Sequence, residues 1–411
     1  MRVFVRSVAA VCLALLGTVV LVVAWTAATA VQLAATALIM GGSFHPLSTP
    51  PDDPVGYINP YMANAVNGFI NPAAALPSGT GNPGIASVGP ADAWYAVITP
   101  EEFFPIFGSM TLDDSVQAGL ANLSSCVRGT GCVYNDDAQI DPQAPAGPPV
   151  AGDEFDIFGY SQSAMIASLL KRDLIENPGE TPPVVSFFLL ANPMRPNGGI
   201  LARGFRGMTI PLIGITFHGA TPTNSCDVGD CMPTVDAAAQ YDIFGGDAPA
   251  SLTNVLAIAN AVLGYVYLHG ELQNANFDGA LYQGSHGDTD YYLYPTARLP
   301  LLRPFEGFVP SPILTALNAP LQAAIEGAYR RDVNPGIVTG MTLLPFHNPV
   351  QTILNILRAI PTGIDDALAE ATGDPTFRPL GTSPSTSPFG VGGPDLPAAP
   401  EAALAGAEDE G

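Results

Sequence analysis

The chain has 411 residues, 47% of them hydrophobic and only 12% charged, enough to bury a large core in one big domain or two ordinary ones. Its net charge of −23, from 37 acidic against 14 basic residues, excludes the basic surface that nucleic-acid binding needs. A phosphate loop or Schiff-base chemistry needs a placed lysine; the single lysine, Lys171, falls in a polar helical stretch and reads as a solvated charge.

From the N-terminus, Arg2 and Arg6 precede a charge-free run, 7–25, and Ala28-Thr29-Ala30 forms a candidate signal-peptidase site. Residues 1–30 therefore read as a signal peptide or an N-terminal membrane anchor. The anchor is favoured, because the run just reaches the about 20 residues a bilayer span requires. Both readings put the rest of the chain outside the cytoplasm, membrane-anchored or secreted into the cell envelope. Cys12 lies in this leader. The other cysteines form two close pairs, Cys126/Cys132 and Cys226/Cys231, which in an exported chain read as two local disulfides rather than a zinc site. No metal or cofactor is expected.

Strand-like apolar runs follow at 35–40, 94–99, 153–158, 183–191, 209–217 and 235–241. Helical patterns fall at 165–175 and 252–268, with weaker ones at 114–123, 313–329 and 350–359. Runs apolar on both faces suit a parallel sheet covered by helices, and the alternation predicts an α/β fold. Segments 71–92, 136–152 and 218–233 are rich in Gly, Pro and Asn and read as long loops. The domain is expected over 31–372. Residues 373–411 form an acidic tail rich in Pro, Ala and Gly; from Thr376 onward the tail reads as disordered.

The most informative stretch is Gly159-Tyr160-Ser161-Gln162-Ser163, between an apolar strand-like run and a helix-like one. This is the strand–turn–helix setting of a nucleophile elbow, whose tight turn demands tiny residues two before and two after the serine. Gly381-Thr382-Ser383-Pro384-Ser385 matches the same pattern without strand or helix, so context separates them. A serine nucleophile needs a base and an orienting acid, in the chain order Ser, Asp or Glu, His. The candidate bases are His269, His286 and His347; the candidate acids are Asp242, at a strand end, and Asp247, just before Pro249. Gly41-Gly42-Ser43 after the first strand suits an oxyanion loop, with the Gln162 N–H as the second donor.

These residues resemble the PE-PPE C-terminal domain of mycobacterial envelope proteins, a cutinase-like serine hydrolase family of the α/β-hydrolase fold. The similarity runs from about residue 35 to 332. It includes Gly41-Gly42, Thr99-Pro100-Glu101-Glu102-Phe103-Phe104-Pro105, the elbow, Asn192-Pro193, Tyr241-Asp242 and His269. The resemblance implies Ser161 as nucleophile, Asp242 or Asp247 as acid, His269 as base, and Ser43 with Gln162 as the oxyanion hole. The N-terminal segment reads as an anchor rather than as a PE or PPE helical domain, and family members built this way are similar to membrane-anchored acyltransferases that finish acylated trehalose lipids. The leading expectation is acyl transfer from a fatty ester to a glycolipid. A simple esterase or lipase comes second, and a non-catalytic envelope binding protein third.

Overall fold

The computed structural model describes residues 35–49 and 52–400. The expected leader, 1–30, and residues 401–411 lie outside the described residues. Seven strands build the central sheet: β1 (Ala35–Ile39), β2 (Trp94–Ala96), β3 (Glu154–Tyr160), β4 (Val184–Leu190), β7 (Thr234–Ala239), β8 (Leu281–His286) and β9 (Thr289–Tyr294). A separate ribbon pairs β5 (Thr209–Ile210) with β6 (Ile215–Thr216). The sheet order is β2-β1-β3-β4-β7-β9-β8, parallel throughout except for β8. The architecture is mixed α/β of the α/β-hydrolase type.

Alternation along the strands splits the core into two layers. Phe155 and Ile157 of β3, with Phe187 and Leu189 of β4, face α2 (Leu112–Val127) and α3 (Gln162–Glu176). Phe158, Tyr160, Phe188 and Leu190 face the other way, onto α1 (Val55–Asn64) and its continuation through Ala65–Ile70. Covering both faces is what makes the central strands continuous apolar runs. A third cluster, including Tyr241, Leu299, Leu314 and Tyr329, packs α4 (Val255–Gly264) and α5 (Ser311–Glu326), on which α6 (Pro349–Thr372) lies.

Several elements depart from the sequence reading. The run 209–217 is not a sheet strand, because Pro211 and a left-handed Gly214 (φ +56) fold it into the small ribbon. Helix α1 tolerates Pro60 within it, and the helical stretch runs on through Asn71–Ala74, the start of a segment expected to be loop. Lys171 is fully buried, not solvated: its Nζ donates to Asp288 Oδ1 (2.6 Å) and to Thr234 Oγ1 (2.8 Å). The tail expected to be disordered is placed through residue 400, with Phe389 only 3% exposed and Arg378 bound to Asp366 (2.7 Å). Cys126 is joined to Cys132 and Cys226 to Cys231.

The connectivity fixes where a site can form. From β1 the chain moves out to β2 on one side and then to β3 on the other. The loops leaving the carboxyl ends of β1 and β3 therefore diverge and open a crevice, where open α/β sheets hold their ligands. Those two loops carry Ser43 and Ser161.

Candidate active site

Ser161 joins β3 to α3 with φ +58 and ψ −112, a conformation that costs a non-glycine residue about 1–3 kcal/mol. Its surroundings hold it there. Ser161 N–H donates to Leu190 O at the end of β4 (2.9 Å), and Ser163 Oγ accepts from Tyr160 N–H (2.8 Å) and donates to Tyr160 O (3.1 Å). A Cβ on Gly159 would sit 2.7 Å from Ser163 O and 2.9 Å from Ala164 N, so only glycine fits.

Ser161 Oγ lies 2.7 Å from His269 Nε2, and His269 Nδ1 lies 2.6 Å from Asp242 Oδ2. Facing a carboxylate, Nδ1 carries the proton and donates; Nε2 is then the acceptor for the serine hydroxyl. The other oxygen, Asp242 Oδ1, accepts from Gly245 N–H (2.9 Å) and Phe244 N–H (3.2 Å), which fixes the carboxylate plane. His269 ends the wide turn Tyr265–His269 that continues α4; its ring sits between those of Tyr160 (5.5 Å) and Tyr265 (4.7 Å), and Tyr160 Oη donates to its carbonyl (2.5 Å). Ser161 and His269 are each 8% exposed, while Asp242 is fully buried. The Asp242 carboxylate is sealed and the Ser161 hydroxyl can still be reached.

Asp247, the other candidate acid, points elsewhere. Arg331 Nη1 and Nη2 grip its two oxygens at 2.6 and 2.9 Å, and its Oδ2 also accepts from Tyr241 N–H (2.7 Å). Of the other histidines, His286 ends β8 opposite Thr289, at the amino-terminal edge of the parallel strands, and His347 lies 3.7 Å from Asp332. Neither is near Ser161 Oγ.

Ser43 lies on the turn after β1. A Cβ on Gly42 would meet the Tyr160 ring at 2.6 Å, and one on Gly41 would collide with His45 O, so the glycines let the turn close against the elbow. Ser43 Oγ donates to Gln162 Oε1 (3.0 Å), tying the β1 loop to the first turn of α3. The Gln162 N–H belongs to that turn, which has no acceptor within its own helix, and it carries the positive end of the helix dipole.

The sequence assigned no role to two supports of this region. Gln162 Nε2 donates to the buried Ser115 Oγ (2.6 Å), which also accepts from Glu102 N–H (3.0 Å). Glu101, left-handed at φ +52, accepts from Phe44 N–H through its carbonyl (3.0 Å). Burial pushes its carboxyl up to about 8, against the opposing bond from Thr99 Oγ1 (2.6 Å). Glu101 stood in the Thr99-to-Pro105 motif, the only signal that pointed to it. Phe44, next to Ser43, packs against Phe107 (5.1 Å), and Tyr265, whose ring lies 4.7 Å from that of His269, packs against Phe244 (5.1 Å). Among the described residues, no cluster of His, Cys, Asp and Glu is arranged to hold a metal ion.

The PE-PPE domain profile matches residues 90–330. The chain is 34% identical to Esterase PE16 of Mycobacterium tuberculosis (strain ATCC 25618 / H37Rv) over 305 residues, covering 71% of this chain and 53% of that protein. It is 34% identical over 293 residues to the uncharacterized PPE family protein PPE42 of the CDC 1551 / Oshkosh strain, covering 68% and 46%. With the PE family protein PE3 of the H37Rv strain it shares 28% over 367 residues, covering 86% and 66%. The chain spans about half the length of the first two of these relatives.

Proposed function

The chain belongs to the PE-PPE domain family, and from that premise we propose that it is an extracytoplasmic serine esterase-type enzyme working on fatty-acyl esters through an acyl-enzyme. The observation that carries this reading is the unbroken relay from Ser161 through His269 to Asp242, ending at a strained, reachable hydroxyl. Ser161 Oγ attacks the ester carbonyl as its proton passes to His269 Nε2. Asp242 holds the imidazole in the required tautomer and balances the imidazolium that forms. The tetrahedral oxyanion sits against the N–H groups of Ser43 and Gln162, two donors fixed before the reaction begins. The C–O bond to the leaving group then breaks, and the alkoxide takes the proton back from His269. A second hydroxyl, activated by His269 in the same way, releases the acyl group and regenerates Ser161.

The aromatic side chains of Phe44, Phe107, Phe244 and Tyr265, beside Ser43 and His269, suit a lipid acyl chain. The finer reading is that the second hydroxyl belongs to a sugar, giving acyl transfer to a trehalose-type glycolipid at the envelope. It rests on the resemblance to membrane-anchored acyltransferases and on the apolar run 7–25. The second reading, plain hydrolysis, is favoured by the name of the relative Esterase PE16. Incubating the full chain with a labelled acyl-glycolipid decides between them: a more highly acylated glycolipid is expected from transfer. Free fatty acid as the only product would refute transfer and leave an esterase. No product from wild type, or equal product from Ser161→Ala, would refute both.

A further inference from the structure

We propose that residues 387–394 form a strap that positions Asp242, so that the far C-terminal segment sets the geometry of the relay; this rests on reading Ser161, His269 and Asp242 as catalytic. The strap and Arg331 both lie beyond the residues matched by the family profile, 90–330. Its shape is fixed by its own turns, Gly390 N–H to Ser387 O (3.1 Å) and Gly393 N–H to Gly390 O (3.1 Å), and by Ser387 Oγ donating to Pro394 O (2.6 Å).

The strap meets the residues that lead into the acid. Pro388 O accepts from Gln240 Nε2 (2.9 Å) and from Gln322 Nε2 (3.0 Å), and Gln322 Nε2 also reaches Tyr241 Oη (3.3 Å). Phe389 covers Arg331: the guanidinium carbon lies 4.5 Å from its ring centre and 4.2 Å from that of Tyr329 on the other side. Held between two rings, the guanidinium presents its planar fork to Asp247 and donates through Nε to Glu326 Oε2 (2.8 Å). Both carboxylates then hold Tyr241, Asp247 Oδ2 at its backbone N–H (2.7 Å) and Glu326 Oε1 at its hydroxyl (2.7 Å).

Tyr241 has φ +68, which an aromatic residue keeps only when its surroundings enforce it. The next residue is Asp242. With Phe389 gone, water reaches Arg331, its grip on Asp247 weakens, and Tyr241 is freer to relax. Asp242 then turns off the line to His269. Arg331, Phe389 and the strap touch neither substrate nor reacting atoms, so they are positioning residues.

The test uses the full chain with Phe389→Ala, Phe389→Tyr, Asp242→Asn and the Phe389→Ala/Asp242→Asn double variant. The substrate is a short-chain p-nitrophenyl ester, and rates are compared per folded molecule, the folded fraction of each variant being read from its circular-dichroism signal. Phe389→Ala is expected to lower kcat about ten-fold with KM unchanged, as a small misplacement of the relay would. Phe389→Tyr, which keeps a ring over Arg331, should restore it. In the Asp242→Asn background the Phe389→Ala change should alter kcat by less than about two-fold, because the group being positioned is already disabled. Wild-type kcat in Phe389→Ala, or an equal loss in both backgrounds, would overturn the strap. Failure of the underlying catalytic reading shows separately, as wild-type turnover that Ser161→Ala does not reduce.

Discussion

The two edges of the sheet use nearly the same ingredients to opposite ends. At the amino-terminal edge, Lys171 and Asp288 form a fully buried ion pair. Asp288 Oδ1 also accepts from Thr289 Oγ1 (2.8 Å), and Asp288 Oδ2 from both the backbone and the hydroxyl of Ser225. Burial pulls the Lys171 ammonium down from its ordinary value and Asp288 opposes that shift. Both ions are fully enclosed and richly hydrogen-bonded. At the carboxyl-terminal edge the chain of bonds instead runs from a sealed Asp242 out to Ser161, on strained backbone and still 8% exposed. Burial of charge is thus common to both edges, and an accessible hydroxyl on strained backbone at the end of the chain of bonds is what distinguishes the second edge and carries the proposed chemistry.

Substitutions that treat the two edges alike should give opposite results. The largest effect is expected from Asp242→Asn, a loss of about 10⁴-fold in kcat with the fold retained, as for a triad acid. Asp247→Asn, five residues on, should reverse that pattern. By weakening the Arg331 pair it should lower stability by about 3 kcal/mol in denaturant titration, while kcat per folded molecule falls far less. Lys171→Met should also cost about 3–5 kcal/mol, by leaving Asp288 buried without its cation, and should leave kcat unchanged. A substantial kcat loss in Lys171→Met would break the contrast between the edges.

A separate effect is one of pH. Burial pushes Asp156, in the middle of β3, up to about 8 from 3.8, as it does Glu101 from 4.5. Neither Asp156 oxygen has a hydrogen-bond partner. The folded state therefore keeps protons that the unfolded chain has already lost. Stability from these groups is fully present below about pH 4 and is lost as pH rises toward 8, by up to about 1.4 kcal/mol per pH unit for each group. Asp156→Asn should match wild type near pH 4 and exceed it increasingly as pH rises toward 8, read from denaturant midpoints. Parallel pH curves for the two proteins would contradict this.

The elbow was legible in the sequence because its geometry constrains composition: only tiny residues fit at 159 and 163. The parallel sheet was legible because strands covered on both faces must be apolar throughout. The different pairing of Asp242 and Asp247 was not, because the two share one loop and what separates them, Arg331, arrives 84 positions later. Lys171 looked solvated because its partner, Asp288, comes from a hairpin 117 positions away. The ordered tail was hidden for the same reason. Its composition is that of a disordered segment, and the placement of its residues up to 400 comes from distant contacts, Phe389 on Arg331 and Pro388 O accepting from Gln240 Nε2. Local pattern carries local geometry; it does not carry the pairing of charges across the fold.

The most direct measurement of the central claim is peptide mapping of the full chain after treatment with a fluorophosphonate. A single phosphonyl adduct is expected on the peptide holding Ser161, absent from Ser161→Ala and formed far more slowly in Asp242→Asn than in Asp247→Asn. An unlabelled wild type, an adduct on another serine, or equal labelling of Ser161→Ala would contradict it.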